Sequence, residues 1–503
     1  MKYLVVVEVS QKQNYIFKTD RLAQNIGASI VVRKLTEEVP RKYLENGNLV
    51  YAGGGNSVFE FEREEDAKNF ISCVSEEALV KYPGVEMFLA MQGYDEESDD
   101  VAKAIDKLFS KLEQKKSLRE STFMVHGLGI ERKCAMTQMP ACVYDEMDGE
   151  YHSREADVKN RLALEETTES YKDLLPETES NEKYRFAKRF EELGGTKGEK
   201  NYVAVVVIDG NRMGKKIKKF REDFEKNSSG ISSIVNNNYK TGFKELSEGI
   251  ENIYRTAIRK MMSNLAVKLP ELTKNKVIND NGRDKDGNII LPIRPLIMAG
   301  DDICFVTDSR LGLSLAEKAL RYIEEQKLEK YDFDFKACAG VAFTKTSYPF
   351  FRTHELAEEL CSNAKSMIRE EDDDCSVIDF HIVQGEIEGS ISEIRRDKYN
   401  KGTLTNKPYY LNAGMDNKNN MQFFKDRINE FKNAGFGKGV LKEYRTALKE
   451  GEDKSKEYIG FRRLKDMIGE SHECGSDGKN HCTDFDVIEM LDIFYDSSEE
   501  NKE

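Results

Sequence analysis

The stretch IRPLIMAGDDICFVTD, residues 293–308, places two adjacent aspartates between two apolar runs of strand length. A glycine directly before the pair favours a tight turn, so the pattern predicts a β-hairpin with Asp301 and Asp302 at its tip. Two carboxylates about 4 Å apart repel each other by roughly 4 kcal/mol at an effective dielectric constant of about 20. A site that keeps both ionised therefore indicates a bound cation.

The surroundings of this hairpin occur twice along the chain. YLVVVEVS (3–10) and YVAVVVID (202–209) are both strand-like and align without a gap. After each come a helical stretch, a glycine-bearing hairpin, a second helical stretch and another strand. This order is that of a split βαβ, or ferredoxin-like, unit. We therefore predict an α+β protein with two such domains in tandem.

Composition changes along the chain suggest four parts. The first unit covers residues 1–97, a helical linker 98–183, the second unit 184–390 and a C-terminal helical domain 391–503. The linker has apolar residues at helical spacing and then a polar, acidic stretch. The last part has helical patterns such as MQFFKDRINEFKNAGF.

Overlaying the two hairpins places Gly53-Gly54-Gly55-Asn56 on Ala299-Gly300-Asp301-Asp302. The opening strands place Ser10 on Asp209. In this alignment one copy carries three carboxylates and the other carries none, which predicts that only the second unit performs chemistry. The alternative is that the hairpins are unrelated and alike by chance.

Charge and cysteine content exclude several classes. The 503 residues include 77 Lys and Arg against 91 Asp and Glu, for a net charge of -14. This balance argues against a protein held on nucleic acid or an anionic membrane by its overall field. Nine scattered cysteines without a CxxC pair disfavour a disulfide framework and a zinc ribbon. Without a secretory or membrane-spanning segment, we expect a cytoplasmic protein.

The three aspartates suit a two-metal site for phosphoryl transfer. Oxygen ligands on rigid strands bind hard cations, so we expect two Mg²⁺ or Mn²⁺ ions on Asp209, Asp301 and Asp302, with Asp209 as the bridging ligand. In such sites one metal activates the attacking hydroxyl and the other neutralises the leaving pyrophosphate.

The segment GNRMGKKIKKFR, residues 210–221, follows Asp209 and contains six basic residues and no acid. Gly210 and Gly214 allow backbone N–H groups to approach a triphosphate at the start of a helix. We predict that the loop residues Gly210, Asn211, Arg212, Met213 and Gly214 bind a nucleotide. The alternative is a solvated lysine-rich helix.

The succession NYVAVVVIDGNRMG, IRPLIMAGDDICFV, ACAGVAFTKTSYPF and ELAEELCSNAKSMIR, with the earlier YAGGGNSVFEF and CAMTQMPACV, resembles the palm-domain large subunit of type III CRISPR complexes. The resemblance covers roughly residues 1–390. It implies two palms packed face to face, one of which polymerises ATP into cyclic oligoadenylates on Asp209, Asp301 and Asp302. The degenerate palm would help to hold a second nucleotide through Gly54, Gly55 and Asn56, and Gly300 and Lys365 would contact the triphosphate.

This sequence departs from the family pattern at three points. Ala299 replaces the first glycine of the usual Gly-Gly-Asp-Asp motif. No His-Asp dipeptide of the family's nuclease domain occurs, and no paired CxxC of its zinc element is present. The chain thus resembles a shortened or standalone relative, which leaves open whether it works in an RNA-guided complex.

We predict a nucleotidyltransferase that joins NTPs, ATP by resemblance, into cyclic or linear oligonucleotide messengers in antiviral defence. Expected partners are NTP substrates, subunits of an RNA-guided complex, a nucleic-acid or phage trigger and further copies of the chain, but no membrane. The alternatives are a non-catalytic nucleotide-binding scaffold or sensor and a diguanylate cyclase-like enzyme.

Overall fold

The structure is a computed structural model that describes residues 1–118, 127–146, 149–165, 171–176, 182–193, 202–228, 230–279, 282–368, 375–385, 389–399, 404–412, 419–462, 464, 473–474 and 480–496. Helices and strands alternate along most of this range, which confirms the predicted α+β class. No helix among these residues is long and apolar enough to cross a membrane. The acidic C-terminal segment SSEENKE, residues 497–503, lies outside the described residues.

The first sheet is antiparallel, with the strand order β2-β3-β1-β4. Its strands are β1 (Lys2–Ser10), β2 (Gly47–Gly53), β3 (Asn56–Phe61) and β4 (Glu86–Tyr94). Residues 4–7 of β1 are fully buried, which explains why both alternating faces of this strand are apolar. The helical segments are α1 (Lys12–Ile16), α2 (Leu22–Arg33), a π-helical turn (Lys34–Glu38), α3 (Val39–Lys42) and α4 (Glu64–Lys81).

The region between the sheets contains helices and also a short hairpin. Its elements are α5 (Val101–Leu118), β5 (Val143–Asp145), β6 (Glu150–His152), α6 (Arg154–Glu165), β7 (Tyr184–Phe186) and two 3₁₀ turns (Lys172–Leu174 and Phe190–Leu193). Helix α6 packs closely on α2 at Gly27, where an added Cβ would lie 1.9 Å from the carbonyl oxygen of Lys159. Only glycine allows this approach.

The second sheet has six strands in the order β10-β11-β8-β14-β15-β16. They are β8 (Tyr202–Gly210), β10 (Ile293–Ala299), β11 (Asp302–Asp308), β14 (Ala337–Lys345), β15 (Val377–Ile382) and β16 (Tyr409–Tyr410). The first four repeat the order of the first sheet, with a hairpin, the opening strand and then the closing strand. The last two extend the sheet beyond the four strands of the ferredoxin-like order, and β15 runs parallel to β14.

The described residues of the second unit include four helices. They are α7 (Met213–Asn227), α8 (Ser233–Lys274), α9 (Ser309–Glu324) and α10 (Phe350–Ser366), with β9 (Ile289–Leu291), β12 (Lys327–Leu328), β13 (Phe333–Asp334) and a 3₁₀ turn (Glu329–Tyr331) between them. Helix α10 lies directly on β14 at Gly340, where a Cβ would come 2.0 Å from the carbonyl oxygen of Ala357. This contact fixes the position of α10 beside the end of β8.

The C-terminal part is mainly helical, and one of its segments, β16, joins the second sheet. Its other elements are α11 (Ile391–Lys398), α12 (Met421–Ala434), α13 (Lys438–Glu450), α14 (Glu452–Phe461), β17 (Glu473–Cys474), β18 (Asn480–His481) and a last helix (Thr483–Met490). Buried ion pairs anchor the last helix, such as Arg427 Nε to Asp484 Oδ1 at 2.7 Å.

The two hairpins match residue for residue. Gly53 pairs with Asn56 at one turn and Ala299 with Asp302 at the other. Each hairpin also has a register shift on its outer strand, at Val50 and at Leu296. These two residues stand at the same distance from their turns, so the predicted hairpin overlay is confirmed.

The predicted overlay of the opening strands is wrong by two residues. Glu8 pairs with Asn56 in the first sheet. In the second sheet Ile208 pairs with Ile303, and one further step of this register places Asp209 opposite Asp302. The counterpart of Asp209 is therefore Glu8 and not Ser10, so the first unit does carry one carboxylate at this corner. A uniform valine run can be shifted without losing its pattern, and only pairing with the hairpin fixes its register.

The two sheets meet at their turns. A Cβ on Gly300 would lie 3.3 Å from the backbone nitrogen of Gly54. On either side a serine crosses between the units: the Ser29 hydroxyl of α2 donates to the carbonyl of Leu296, and the Ser247 hydroxyl of α8 donates to the carbonyl of Ala52. The contacts are reciprocal, because each long helix binds the hairpin of the other unit.

Candidate active site

Two strand ends bring the predicted aspartates together. Asp209 is the penultimate residue of β8, and Asp301 and Asp302 form the end of the turn between β10 and β11. A Cβ on Gly210 would lie 2.8 Å from the Cβ of Asp301 and 2.4 Å from the hydroxyl of Tyr254. Glycine at this position therefore lets the turn lie against the end of β8. We refer to Asp209, Asp301 and Asp302 as the carboxylate site.

Lys365 reaches this site from the last turn of α10. Its Nζ lies 2.5 Å from Oδ2 of Asp209 and donates to the carbonyl oxygen of Gly210 at 3.1 Å. Burial lowers the pKa of Lys365, but the hydrogen bond and the charge of Asp209 outweigh it, so the pKa lies above its ordinary value. Lys365 is thus charged and held at the carboxylate site.

A second lysine comes from the first unit. Lys12, the first residue of α1, places its Nζ 3.1 Å from Oδ2 of Asp302. The same ammonium donates to the carbonyl oxygen of Gly54 at 3.3 Å. Sequence reasoning missed this residue, because nothing in the neighbourhood of Lys12 indicates a partner 290 positions away.

Asp301 has no ion pair of its own among the described residues. Burial, with added repulsion from Asp302 and Asp209, raises its pKa to about 6. Burial also raises the pKa of Asp209, although the Lys365 hydrogen bond opposes this shift. The carboxylate site is therefore short of positive charge.

The donor chemistry of the site fits a hard divalent cation, because carboxylate oxygens are the ligands that Mg²⁺ and Mn²⁺ take. The spacing of the carboxylates, however, is not that of a site with a bound metal ion. In the part of the chain that the structure describes, no three His, Cys, Asp or Glu side chains are grouped closely enough to hold one metal ion. Two of the three carboxylates are instead neutralised by lysines.

The predicted phosphate loop turns directly out of β8 into α7. Arg212 adopts the left-handed conformation, with φ 55, and α7 begins at the next residue, Met213. Among the residues that the structure describes, no side chain caps this helix start, and none comes within 4 Å of a Cβ on Gly214. The N–H groups of the first turn of α7 are thus accessible beside Asp209.

Asn211, which we predicted to bind a nucleotide, is held by protein partners in the structure. Its side chain is buried, and its amide donates to the carbonyl oxygen of Cys375 at 2.8 Å. Its backbone N–H donates to the carbonyl of Lys336. These bonds tie the loop to the sheet, so in this structure Asn211 positions the loop.

The predicted residues of the first unit line a cleft between the two turns. The cleft has a volume of about 150 Å³, and its lining includes Lys12, Gly53–Asn56, Leu296–Gly300 and polar residues of α2 and the π-helical turn. The amide oxygen of Asn56 is buried and has no hydrogen-bond partner among the described residues. Gly54, Gly55, Asn56 and Gly300 therefore share one cleft beside the carboxylate site.

Glu358 is a further acidic group at the site that sequence reasoning missed. Burial and the charges of Asp302, Glu355 and Asp209 raise its pKa to about 7. It lies two helical turns before Lys365 on α10, and this i, i+7 spacing, which places both residues on one helix face, is the signal that could have found it. Its carboxylate accepts a hydrogen bond from Gln13 of the first unit.

Comparison with known proteins gives a likeness of fold. No protein-family model matches the sequence, and no curated protein matches it. Among solved structures, a chain of the apo Csm1-Csm4 cassette matches with a TM-score of 0.50 and 12% identity over 97% of this chain and 69% of that chain. A Csm1-Csm4 cassette in complex with cA4 matches with a TM-score of 0.44 and 13% identity.

A Csm1-Csm4 subcomplex of the type III-A CRISPR-Csm interference complex matches with a TM-score of 0.48 and 14% identity. The chain covers 54% of the cA4-bound structure's chain, or about half of its length. At these identities the likeness concerns the fold alone. The fold likeness to the apo Csm1-Csm4 cassette chain, at a TM-score of 0.50, is in line with the sequence resemblance to type III CRISPR large subunits.

Proposed function

We propose that this chain is a metal-dependent nucleotidyltransferase built on two palm domains, a shortened relative of the type III CRISPR large subunit. It would join NTPs, with ATP as the expected substrate, into cyclic or linear oligonucleotides in antiviral defence. The observation that carries the proposal is the convergence of Asp209, Asp301 and Asp302 at one corner of the second sheet, within reach of two lysines.

The reaction needs an attacking hydroxyl, an α-phosphate and a leaving pyrophosphate. A ribose hydroxyl oxygen of one nucleotide forms a bond to the α-phosphorus of another, the bond to the β-phosphate breaks, and the hydroxyl proton passes to solvent. Divalent metal ions held by Asp209, Asp301 and Asp302 would neutralise charge on the attacking hydroxyl oxygen and on the leaving pyrophosphate oxygen. The accessible N–H groups at the start of α7 and the ammonium of Lys365 suit the triphosphate. The N–H groups carry a partial positive charge and the ammonium a full one, and both lie beside Asp209.

The cleft between the turns suits a second nucleotide. It opens beside the carboxylate site, and Gly54, Gly55 and Asn56 of the first turn line it together with Gly300 of the second. The first unit would thus bind substrate without performing chemistry. This division supports a single chain as the catalytic unit, whereas a diguanylate cyclase-like arrangement needs two copies of one domain.

The test is incubation of the purified chain with each NTP and Mg²⁺ or Mn²⁺, with pyrophosphate release and product masses as the readouts. The variant Asp301→Asn/Asp302→Asn is expected to lose product formation at least about a hundredfold, because a metal's transition-state stabilisation amounts to several kcal/mol. The matched control is Asp332→Asn/Asp334→Asn, which alters two exposed aspartates of the same unit. Equal activity in both double variants would refute the catalytic assignment.

A non-catalytic nucleotide sensor is the second candidate, and one observation favours it. Lys365 and Lys12 neutralise two of the three carboxylates, and an arrangement of this kind is stable without metal. NTP binding without pyrophosphate release, with the protein alone and with added RNA, partner subunits or phage components, would select this function. Activity that appears only with such additions would instead indicate a regulated enzyme in a larger complex.

A further inference from the structure

Lys12 joins the two units at the carboxylate site. It follows Gln11, which adopts the left-handed conformation with φ 48, so the chain turns sharply at the end of β1. From this turn the Lys12 side chain reaches Asp302 at the edge of the second unit. The Lys12 side chain is only 16% exposed, and its ammonium bridges Asp302 of the second unit and the Gly54 carbonyl of its own unit. A Cβ on Gly55 would lie 3.2 Å from the same Nζ, so the ammonium rests on the turn.

The ion pair of Lys12 connects the two units, and the ion pair of Lys365 does not. Lys365 and Asp209 belong to one unit, whereas Lys12 and Asp302 belong to different units. A carboxylate oxygen that accepts from an ammonium has less electron density to offer a metal ion, and the two cations repel each other at this distance. Lysine is a compact charge on a flexible four-carbon chain, so it can leave the carboxylate without movement of the backbone.

We propose that Lys12 is a tethered cation that holds Asp302 in the absence of metal and leaves it when a divalent cation binds. Departure of Lys12 also breaks its hydrogen bond to Gly54, so metal loading on the second unit changes the turn of the first. This coupling rests on the proposed function, because it takes Asp209, Asp301 and Asp302 as the metal site. By linkage, a ligand that binds at the first turn and draws Lys12 away from Asp302 also raises the metal affinity of the carboxylate site.

The experiment measures Mn²⁺ binding to the full chain without nucleotide, by electron paramagnetic resonance of free Mn²⁺ and by calorimetry. Lys12→Gln is expected to bind Mn²⁺ about twofold to fivefold more tightly, in line with the strength of about 0.5–1 kcal/mol for partly exposed ion pairs. The gain in Lys12→Gln must therefore exceed the spread of replicate titrations to count as tighter binding. Lys12→Arg keeps the charge and should stay within about twofold of wild type. Lys18→Gln is the control for the loss of a positive charge close to Lys12 in the sequence. Lys18 pairs with Glu155 and not with the carboxylate site, so this variant should leave Mn²⁺ binding unchanged.

A second readout separates this role from a structural one. Hydrogen exchange of the backbone around residues 53–56 should change on Mn²⁺ addition in wild type, and this change should be absent in Lys12→Gln. Unchanged or weaker Mn²⁺ binding by Lys12→Gln, while Asp302→Asn weakens it, would overturn this inference and leave the proposed function standing. No Mn²⁺ binding by wild type or any variant, or binding that Asp302→Asn does not weaken, would overturn both.

Discussion

At the corner where the opening strand ends beside the hairpin turn, the first sheet holds Glu8 and Asn56, and the second sheet holds Asp209 and Asp302. Both opening-strand carboxylates contact a lysine: Glu8 pairs with Lys116 of α5, and Asp209 pairs with Lys365 of α10. The turns differ more. Gly55 stands in the first turn where Asp301 stands in the second. The units thus differ by two carboxylates on a shared frame.

This difference shows what the frame does by itself. Both hairpins keep the same register shift, and each turn has a glycine of positive φ at the same position, Gly54 with φ 62 and Gly300 with φ 65, although only one turn carries aspartates. The geometry of the turn is therefore not a consequence of the charges. The charges were added to, or lost from, a turn whose shape the rest of the sheet maintains.

The largest expected effect comes from removing the matched carboxylates one at a time. We expect Asp209→Asn to lower pyrophosphate release at least about a hundredfold, because it removes a charged ligand of the carboxylate site. Glu8→Gln changes the corresponding residue of the first unit and should alter the rate by less than about threefold. Comparable losses in both variants would mean that the two corners share the chemistry.

The matched lysines give the next effect. Loss of a hydrogen bond to a charged group costs about 1.5–3 kcal/mol, so Lys365→Gln should lower kcat/KM about tenfold to a hundredfold. Lys116→Gln removes the ion pair with Glu8 and should leave kcat/KM within about twofold. If Lys116→Gln has the larger effect, the first unit binds the reacting nucleotide.

The hairpin overlay was predictable from the sequence and the strand overlay was not. A glycine-rich turn between two strands fixes its own register, so aligning Gly53–Asn56 with Ala299–Asp302 was correct to the residue. The valine run of β1 contains no such mark. For this reason Ser10 was aligned where Glu8 belongs, and the predicted absence of a carboxylate in the first unit was wrong.

The lysines show a second limit of the sequence. The resemblance led to Lys365, and the structure places it on Asp209. Lys12 and Asp302 meet only because the two sheets pack turn to turn, and such a contact leaves no local pattern in either segment. The domain boundaries and the roles of the site residues remain predictions.

A smaller effect concerns the stability that the protein loses by burying the carboxylate of Asp301. The first turn has no carboxylate at the corresponding position. Its pKa in the folded protein is about 6 against an ordinary value of 3.8, so the folded state binds more protons between these values. The free energy of unfolding therefore falls as pH rises through this window and stays lower above it. Asp301→Asn should raise the free energy of unfolding by about 1 kcal/mol at pH 7.5 and by less near pH 5, after allowance for solvent screening.

Urea unfolding in the presence of a chelator measures this difference at the two pH values. Gly55→Asp places a carboxylate at the corresponding position of the first turn, and Gly55→Asn is its control for backbone strain, since Gly55 has φ +87. Because the Nζ of Lys12 lies 3.2 Å from a Cβ at position 55, Asp should be at least as stable as Asn there at pH 7.5. A lower stability of Asp than of Asn would show that the neighbourhood of the turn, and not the lack of an ion pair at Asp301, lowers the stability. An Asp301→Asn variant with no gain at pH 7.5 would show that the lysines already offset the charge.

The reciprocal serines should give the smallest effect and report on the contact between the units. Ser29 and the carbonyl of Leu296 are both buried, and Leu296 lies at the register shift where its carbonyl needs a partner outside the ladder. Ser29→Ala should therefore lower the free energy of unfolding by about 1 kcal/mol, whereas Ser247→Ala, at a less buried position, should lower it by about 0.5 kcal/mol. Tyr171 limits the first loss, because its hydroxyl also lies 3.5 Å from the Leu296 carbonyl oxygen. Tyr171→Phe combined with Ser29→Ala should lower stability by more than the sum of the single losses, and a merely additive result would show that neither hydroxyl replaces the other in holding the second hairpin to the first unit.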